Sequence, residues 1–224
     1  MTVLVVAAHP DDEVLGCGGA IARHARDGEA VHLVFLADGV SSRSPSDDHV
    51  AEVGRRRDAA RVAANILGAS SVTFHDLPDN QLDMVALLDI ARLVESVVEE
   101  HSPSLVYTHH RNDLNIDHRR VHQAVMTACR PIPGSRVGTI LAFETPSSTE
   151  WATPGSAEAF IPNWFVDISE TLELAVEALN AYAEEVRDWP HPRSPEALVH
   201  LARWRGSCVG LHAAEAFMLA RQVR

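Results

Sequence analysis

A short apolar run near the start of the chain places the strongest constraint on the fold. Residues 3–8 read Val-Leu-Val-Val-Ala-Ala, without a polar residue among them. An uninterrupted apolar run of this length is typical of a strand buried on both faces, as in the parallel sheets of α/β proteins. Residues 20–26 mix apolar and charged side chains at helical spacing. The chain is therefore predicted to open with a central strand that leads into a helix.

Strand-like and helical segments then alternate up to residue 143. Further apolar runs of strand length occupy residues 31–37, 72–75, 105–108 and 138–143. Helical patterns occupy residues 12–27, 50–67, 82–100 and 117–129. Alternation at this spacing predicts βαβ units, and hence an α/β fold with a Rossmann-like, mainly parallel, twisted sheet flanked by helices.

The alternation ends after the fifth apolar run. Beyond it the sequence predicts an irregular segment, a short strand and two helices, at residues 144–163, 164–168, 172–187 and 195–221. A break in the second of these helices is expected at Gly206 or Gly210. We therefore expect one domain over residues 1–224, with a βαβ core at 1–143 and an irregular segment with a C-terminal helical cap at 144–224.

The composition narrows the classes of function. A formal net charge of −12 argues against nucleic acid or an anionic membrane as the main partner. All 19 basic residues are arginines, which excludes Schiff-base lysine chemistry and a Walker-type phosphate loop. Three cysteines without metal or redox spacing indicate a reducing compartment, and the sequence shows neither a signal peptide nor a membrane span. We expect a cytoplasmic protein with a small-molecule partner, and the sequence is compatible with a homo-oligomer.

Two polar stretches follow the predicted strands. Residues 9–13, His-Pro-Asp-Asp-Glu, lie where the first strand ends, the place where open α/β sheets bind ligands. The acids alone could serve only to favour a helix N-terminus, but that leaves His9 unexplained. Residues 108–118 follow the fourth strand and should open on the same sheet edge. Two imidazoles and one carboxylate, from His9, Asp12 and a histidine of the second stretch, are the ligand set of a catalytic zinc site, and Asp11 could accept a proton from water.

The two stretches together resemble a known family. His-Pro-Asp-Asp-Glu at residues 9–13 and Asp-Leu-Asn-Ile-Asp-His at residues 113–118 look like the LmbE-like or PIG-L family of zinc-dependent N-acetylglucosaminyl deacetylases. Residues 141–151 and 190–194 are similar to its bacterial branch acting on sugars. The resemblance implies one zinc ion per chain, replaceable by other divalent metals, and removal of an acetyl group from a small N-acetyl amino sugar or conjugate.

The resemblance also implies roles for particular residues. His9, Asp12 and His118 match the zinc ligands, and Asp11 matches the general base that deprotonates the attacking water. Many members read His-Pro-Asp-His in the second motif, and the first His stabilises the oxyanion. Here that position holds Asn115, whose amide can donate a hydrogen bond but cannot carry a positive charge. The oxyanion role is then weakened at Asn115, or it passes to the metal or to a nearby histidine, His109 or His110.

Further residues are expected around this centre. Asp117 should support the site, by family position and because metal ligands usually contact a second carboxylate. One of the three arginines at residues 55–57 should match the family's substrate-contacting arginine, and Arg56 is preferred. The substrate side is expected to hold four more polar residues: Asp79, Glu144, His191 and Arg193.

Three other functions compete with this interpretation. Gly16, Gly18, Gly19 and Asp38 imitate a dinucleotide-binding fingerprint, but the third glycine of that motif is replaced by Ile21. The sequence contains no Gly-x-Ser-x-Gly motif, which argues against a serine or cysteine hydrolase. The third alternative is a catalytically silent sugar-binding protein on the same scaffold. Only Asn115, in place of the histidine of the second motif, favours it.

Overall fold

The computed structural model describes residues 1–42, 48–155 and 159–223. Within these residues the strands are β1 (Thr2–Ala7), β2 (Ala30–Ala37), β3 (Ser71–Leu77), β4 (Leu105–His109), β5 (Thr139–Phe143), β6 (Trp164–Asp167) and β7 (Ala214–Gln222). The helices are α1 (Asp12–Arg26), α2 (His49–Leu67), α3 (Leu87–His101), α4 (Ile116–Ala128), α5 (Leu172–Ala181) and α6 (Pro195–Ser207), and a single 3₁₀ turn spans Thr149–Trp151. No helix in these ranges is both long and apolar enough to cross a bilayer.

The strands form one sheet in the order β3-β2-β1-β4-β5-β7-β6. The first five strands of the chain are parallel, and β7 runs antiparallel to both β5 and β6. The predicted α/β class with a mainly parallel sheet is confirmed. The order of the sheet reverses between β1 and β4, so a crevice forms at the carboxyl ends of these two strands.

Strand β1 is buried on both faces, as its unbroken apolar run predicts. Val3 and Val5 pack with the core on one side of the sheet, which includes Ile21 of α1. Leu4 and Val6 pack with the core on the other side, which includes residues of α3 and α4. This burial fixes the end of β1 rigidly, and the residues that follow it inherit a defined position.

The predicted helix at residues 195–221 is wrong in its second half. Helix α6 ends at Ser207, and Ala214–Gln222 form strand β7, which lies between β5 and β6. The Ala, Glu, Met, Leu and Gln residues of this segment favour a helix by local propensity, but sheet pairing overrides that preference. The C-terminal part therefore adds two strands to the sheet besides its helices and is not only a helical cap. Smaller differences are a later start of α3, at Leu87, and an earlier end of α5, at Ala181.

The glycines that follow the first motif let α1 lie close to the sheet. A Cβ atom at Gly16 would lie 2.3 Å from Phe143 Cδ2, and one at Gly19 would lie 2.8 Å from side-chain atoms of Ile168. Cys17 departs from helical geometry, and the buried Glu215 of β7 accepts hydrogen bonds from the nitrogens of Gly19 and Ala20 where the helix resumes. Helix packing alone thus accounts for these glycines, without a nucleotide.

We expect Gly16→Ala to lower the free energy of unfolding by about 1–3 kcal/mol, because the added methyl group must displace the fully buried Phe143 ring. Gly54→Ala is the matched control. Gly54 lies within α2, and apart from its chain neighbours and its own helix backbone no atom of the described residues is within 4 Å of its would-be Cβ. That change should stabilise the protein by roughly 0.5–1 kcal/mol. Denaturant unfolding of both variants measures the difference, and equal effects would contradict the packing argument.

Candidate active site

The two polar stretches meet in the crevice at the ends of β1 and β4. His9 follows β1, and His118 lies in the first turn of α4, which begins after the loop that leaves β4. Asp11 and Asp12 open helix α1, and the carbonyl of Asp11 accepts the first helical hydrogen bonds from Val14 N and Leu15 N. All four candidate side chains are buried, since His9 is 7% exposed and Asp11, Asp12 and His118 are each 1% exposed.

His9, Asp12 and His118 each direct one ligand atom to a common point, and these atoms lie within 4.8 Å of one another. Asp12 Oδ2 is 3.3 Å from His9 Nδ1, and Asp12 Oδ1 is 3.3 Å from His118 Nε2. Oδ1 lies at ion-pair distance, but it makes no hydrogen bond with any residue in the described ranges. A buried carboxylate with an imidazole nitrogen near each of its oxygens, one of which has no hydrogen bond, fits a divalent cation with nitrogen and oxygen ligands.

The charges of this group stabilise one another. Burial opposes ionisation of Asp12, but the charge of His118 and hydrogen bonds from His118 and His9 outweigh it and hold the pKa of Asp12 well below its usual range. Burial likewise lowers the pKa of His118, yet Asp12 and Asp113 raise it to about 9. The carboxylate therefore stays ionised, and the imidazoles retain protons that a bound cation would displace.

Each of the two histidines contacts a carboxylate of its own. His9 Nε2 lies 2.9 Å from Asp117 Oδ2 and 3.0 Å from Asp79 Oδ1, and the backbone nitrogens of Asn80 and Leu82 also donate to Asp117. His9, Asp79 and Asp117 could themselves surround a cation. Their hydrogen bonds favour the simpler role of orienting the His9 ring, which leaves Nδ1 facing Asp12.

Asp113 is the carboxylate behind His118, and sequence reasoning missed it. Its Oδ1 lies 3.1 Å from His118 Nδ1, Thr149 donates to its Oδ2 at 2.6 Å, and Ser148 also donates to it. Burial raises its pKa, but His118 and these hydroxyl groups lower it to about 2. Its position as the first residue of the second motif is the sequence signal that could have indicated this role.

Asp11 adopts a backbone conformation that is unusual for a residue with a side chain, with φ of 120°. Its nitrogen donates to Glu13 Oε2 at 3.0 Å, and Tyr182 donates to Glu13 Oε1 at 2.5 Å. Burial raises the pKa of Glu13 to about 8. Strain of this kind persists where the surrounding structure enforces it, which is common at functional sites. The Asp11 residue is therefore held in a defined conformation at the start of α1, directly before Asp12.

Arginine side chains surround the Asp11 carboxylate. Arg56 is 6% exposed and turns inward, with Nη1 3.8 Å from Asp11 Oδ2. Its neighbours Arg55 and Arg57 turn outward to exposed acids. Arg193 Nη1 donates to Asp11 Oδ2 at 3.1 Å, and its Nε donates to Ser147 Oγ at 2.7 Å. Among the three adjacent arginines, Arg56 is thus the one placed at the site.

Comparison with known proteins gives the family. Residues 4–129 match the model described as PIG-L, GlcNAc-PI de-N-acetylase. The chain belongs to this family. It is 33% identical over 181 residues to an uncharacterized deacetylase, YaiS, of Escherichia coli K12, a match that covers 77% of this chain and 86% of that protein.

Other proteins similar to this chain carry different names. The 4-oxalmesaconate hydratase of Pseudomonas putida KT2440 is 31% identical over 208 residues, which cover 85% of this chain and 76% of that protein. The structure of the 4-carboxy-2-hydroxymuconate hydratase GalB of P. putida KT2440 matches with a TM-score of 0.80 at 27% identity, over 100% of this chain and 97% of that one. The N,N'-diacetylchitobiose deacetylase of Pyrococcus horikoshii shares the fold, with a TM-score of 0.78 at 20% identity over 98% and 84%. The family and its deacetylases support an amide-hydrolysing enzyme.

Asn115, which stands where many PIG-L members have histidine, is the N-cap of α4. Its Oδ1 accepts from Asp117 N at 2.8 Å, and its Nδ2 donates to Asn80 Oδ1 at 3.0 Å. The amide nitrogen carries a second hydrogen, which could be donated to another acceptor. His109 stacks on His118, and its Nε2 accepts from Ala8 N at 2.9 Å. Burial and His118 hold the pKa of His109 well below its usual range, so this ring stays neutral.

We expect Asn115→Ala to lower the free energy of unfolding by about 1 kcal/mol, because the cap of α4 is lost. Asn115→Ser is the matched control, since a serine hydroxyl can accept from the Asp117 nitrogen but supplies no amide donor. The Asn115→Ser variant should retain most of the wild-type stability. Thermal or denaturant unfolding measures both changes. An Ala variant as stable as the wild-type protein would show that the cap contributes little.

The other residues predicted for the substrate side divide into two groups. Asp79 lies against His9. Burial raises the pKa of Asp79, but hydrogen bonds and charge from His9 and hydrogen bonds from Ser42 outweigh it and lower the pKa to about 2. His191 accepts from Arg193 N at 3.1 Å and so supports the loop that carries this arginine. Glu144 instead pairs with Arg205, at 2.8 and 2.7 Å, and lines a separate cavity of about 300 Å³ with His110.

Proposed function

We propose that this protein is a metal-dependent deacetylase that hydrolyses the N-acetyl group of an amino-sugar-containing substrate and releases acetate and the free amine. The observation that carries the proposal is the buried group of His9, Asp12 and His118, in which one Asp12 oxygen has no hydrogen bond. Asp11 directly precedes Asp12 at the start of α1. Zinc suits two imidazoles and a carboxylate. Other divalent metals can replace it, because such ligands discriminate poorly among them.

The chain's own residues perform the proton transfers. A zinc ion held by the three ligands would supply a Lewis acid that activates water and polarises the amide carbonyl. Asp11 accepts a proton from the water as the water oxygen bonds to the carbonyl carbon. The remaining amide hydrogen of Asn115 is the candidate donor to the oxyanion. Asp11 then returns the proton to the nitrogen as the carbon–nitrogen bond breaks.

The charges around Asp11 favour a neutral substrate group. Among the described residues, Arg56 and Arg193 are the cations that contact Asp11, and both are offset by Asp11 itself and by Glu185. The cluster therefore carries no net positive charge to attract a polycarboxylate. Arg193, whose side chain is 26% exposed, and Asp79 remain the candidates for contact with hydroxyl groups of a sugar.

Hydration of a carbon–carbon double bond is the second candidate, because a hydratase is 31% identical to this chain. An activated water and a carboxylate base could serve either reaction. The two reactions differ in their products, since only amide hydrolysis releases acetate and an amine. The neutral charge of the Asp11 cluster argues for the amide.

A panel of N-acetyl amino sugars, their conjugates and an unsaturated polycarboxylate tests the proposal. The zinc-loaded protein should release acetate and amine in equal amounts from at least one amide, and should leave the polycarboxylate unchanged. Consumption of the double bond without acetate release would establish the hydratase instead. Saturable binding of a sugar without turnover would identify a silent binding protein.

A further inference from the structure

Glu185 is a buried carboxylate that lies outside both sequence motifs. It is 4% exposed and follows α5, in a turn where its nitrogen donates to Tyr182 O at 2.8 Å. Its two oxygens face two different guanidinium groups. Oε1 is 2.7 Å from Arg56 Nη1, and Oε2 is 3.2 Å from Arg193 Nη1. Because a buried carboxylate is costly without partners, this pairing holds all three side chains in place.

The same two nitrogen atoms also reach Asp11. Arg193 Nη1 is 3.1 Å from Asp11 Oδ2, and Arg56 Nη1 is 3.8 Å from that oxygen. Each Nη1 atom is therefore shared between the proposed base and Glu185. The four side chains sum to zero formal charge. If Glu185 were neutral, both cations would face Asp11 alone.

Other contacts restrain the two guanidinium groups. Arg193 donates from Nε to Ser147 Oγ, and Arg56 donates from Nη2 to Gly39 O at 3.3 Å. The contact between Arg56 Nη1 and Glu185 is an ion pair by distance but lacks hydrogen-bond alignment. The Arg56 guanidinium group can therefore turn toward a different carboxylate at little cost in hydrogen bonding.

We propose that Glu185 is a positioning residue that keeps Arg56 and Arg193 from closing on Asp11, so that the Asp11 carboxylate stays open to substrate. This inference rests on the proposed function, in which Asp11 must meet both water and the departing nitrogen. A guanidinium group released from Glu185 is attracted to Asp11, and a bidentate pair is the favoured geometry for arginine and a carboxylate. Such a pair would engage both oxygens of Asp11.

Glu185→Gln tests the proposal, with Glu184→Gln as its matched control. Glu184 is the adjacent residue, has a 56% exposed side chain, and pairs with Arg55 at 3.1 Å. We expect Glu185→Gln to lower kcat by about 10- to 100-fold with metal content unchanged, because the base is misplaced, and to change KM by less than about threefold. Glu184→Gln should stay within about twofold of wild type, as surface substitutions usually do.

The double variant Glu185→Gln with Arg193→Gln separates positioning from a general structural role. If Arg193 closes on Asp11, its removal should raise kcat at least about fivefold above that of Glu185→Gln alone. The comparison is made at saturating substrate, where a lost contact between Arg193 and the sugar raises KM and leaves kcat unchanged. A double variant no better than Glu185→Gln, or an unchanged kcat in Glu185→Gln, would overturn the proposal. Should Glu185→Gln fail to fold, Glu185→Asp keeps the charge but retracts it by one methylene, and the same loss and rescue are expected.

Unfolding measurements judge the pairing without any substrate. Denaturant unfolding is compared for the wild type, Glu185→Gln, Arg193→Gln and the double variant. The changes in the free energy of unfolding should be non-additive, and additive changes would overturn the proposal. A wild-type protein that releases no acetate from any amide would overturn the proposed function. In that case the coupling in unfolding still decides whether Glu185 holds Arg193.

Discussion

Asp11→Asn protein is expected to lose about 10²–10⁴-fold in kcat, the usual contribution of general acid–base catalysis. The amide of asparagine has nearly the shape of the carboxylate but cannot accept the proton of the attacking water. Asp11 also returns that proton to the leaving nitrogen, so one change removes two steps. Steady-state kinetics on the substrate found by acetate release gives kcat, and metal analysis of the same sample gives its zinc content.

The interpretation requires that the metal stays bound, because Asp11 is not among the three proposed ligands. Asn115→Ala should cost less in kcat, since it removes one neutral hydrogen bond from the oxyanion. Asp27→Asn, at the exposed end of α1, is a control for the change of charge alone. A zinc-loaded Asp11→Asn enzyme with nearly full activity would leave the reaction without its base.

His118→Ala protein is expected to lose both its metal and its activity, because a ligand set of three is reduced to two. Asp113→Asn should show a graded effect, with metal affinity or activity lowered by about 10- to 100-fold, as is usual for a carboxylate behind a ligating histidine. Metal content after dialysis against a chelator, measured beside kcat/KM, ranks the two variants and the wild-type protein. Stoichiometric metal in His118→Ala would show that the third ligand is another residue.

The first five strands and four helices could be predicted because their signals are local. An apolar run such as residues 3–8 indicates a buried strand by itself, and the helical patterns between the runs then fix parallel crossovers. Parallel strands bring their carboxyl ends to one edge, so two separate motifs could be predicted to meet there. The structure places His9, Asp12 and His118 together at that edge.

The parts that sequence reasoning missed depend on contacts between distant residues. Strand β7 is built from good helix formers, and only its pairing with β5 and β6 makes it a strand. Glu185 lies in a segment that reads as ordinary helix, and its arginine partners come from α2 and from the loop before α6. Local sequence patterns contain no information on such pairings.

Titration of the chelated protein with zinc, followed by acetate release, tests the central claim most directly. We expect acetate release from an N-acetyl amino sugar to be lost on chelation and to return in proportion to added zinc, up to one ion per chain. One ion per chain is expected because the second possible group, His9 with Asp79 and Asp117, shares His9 with the proposed ligand set. Full acetate release by the metal-free protein, or activity that is independent of zinc, would contradict the account.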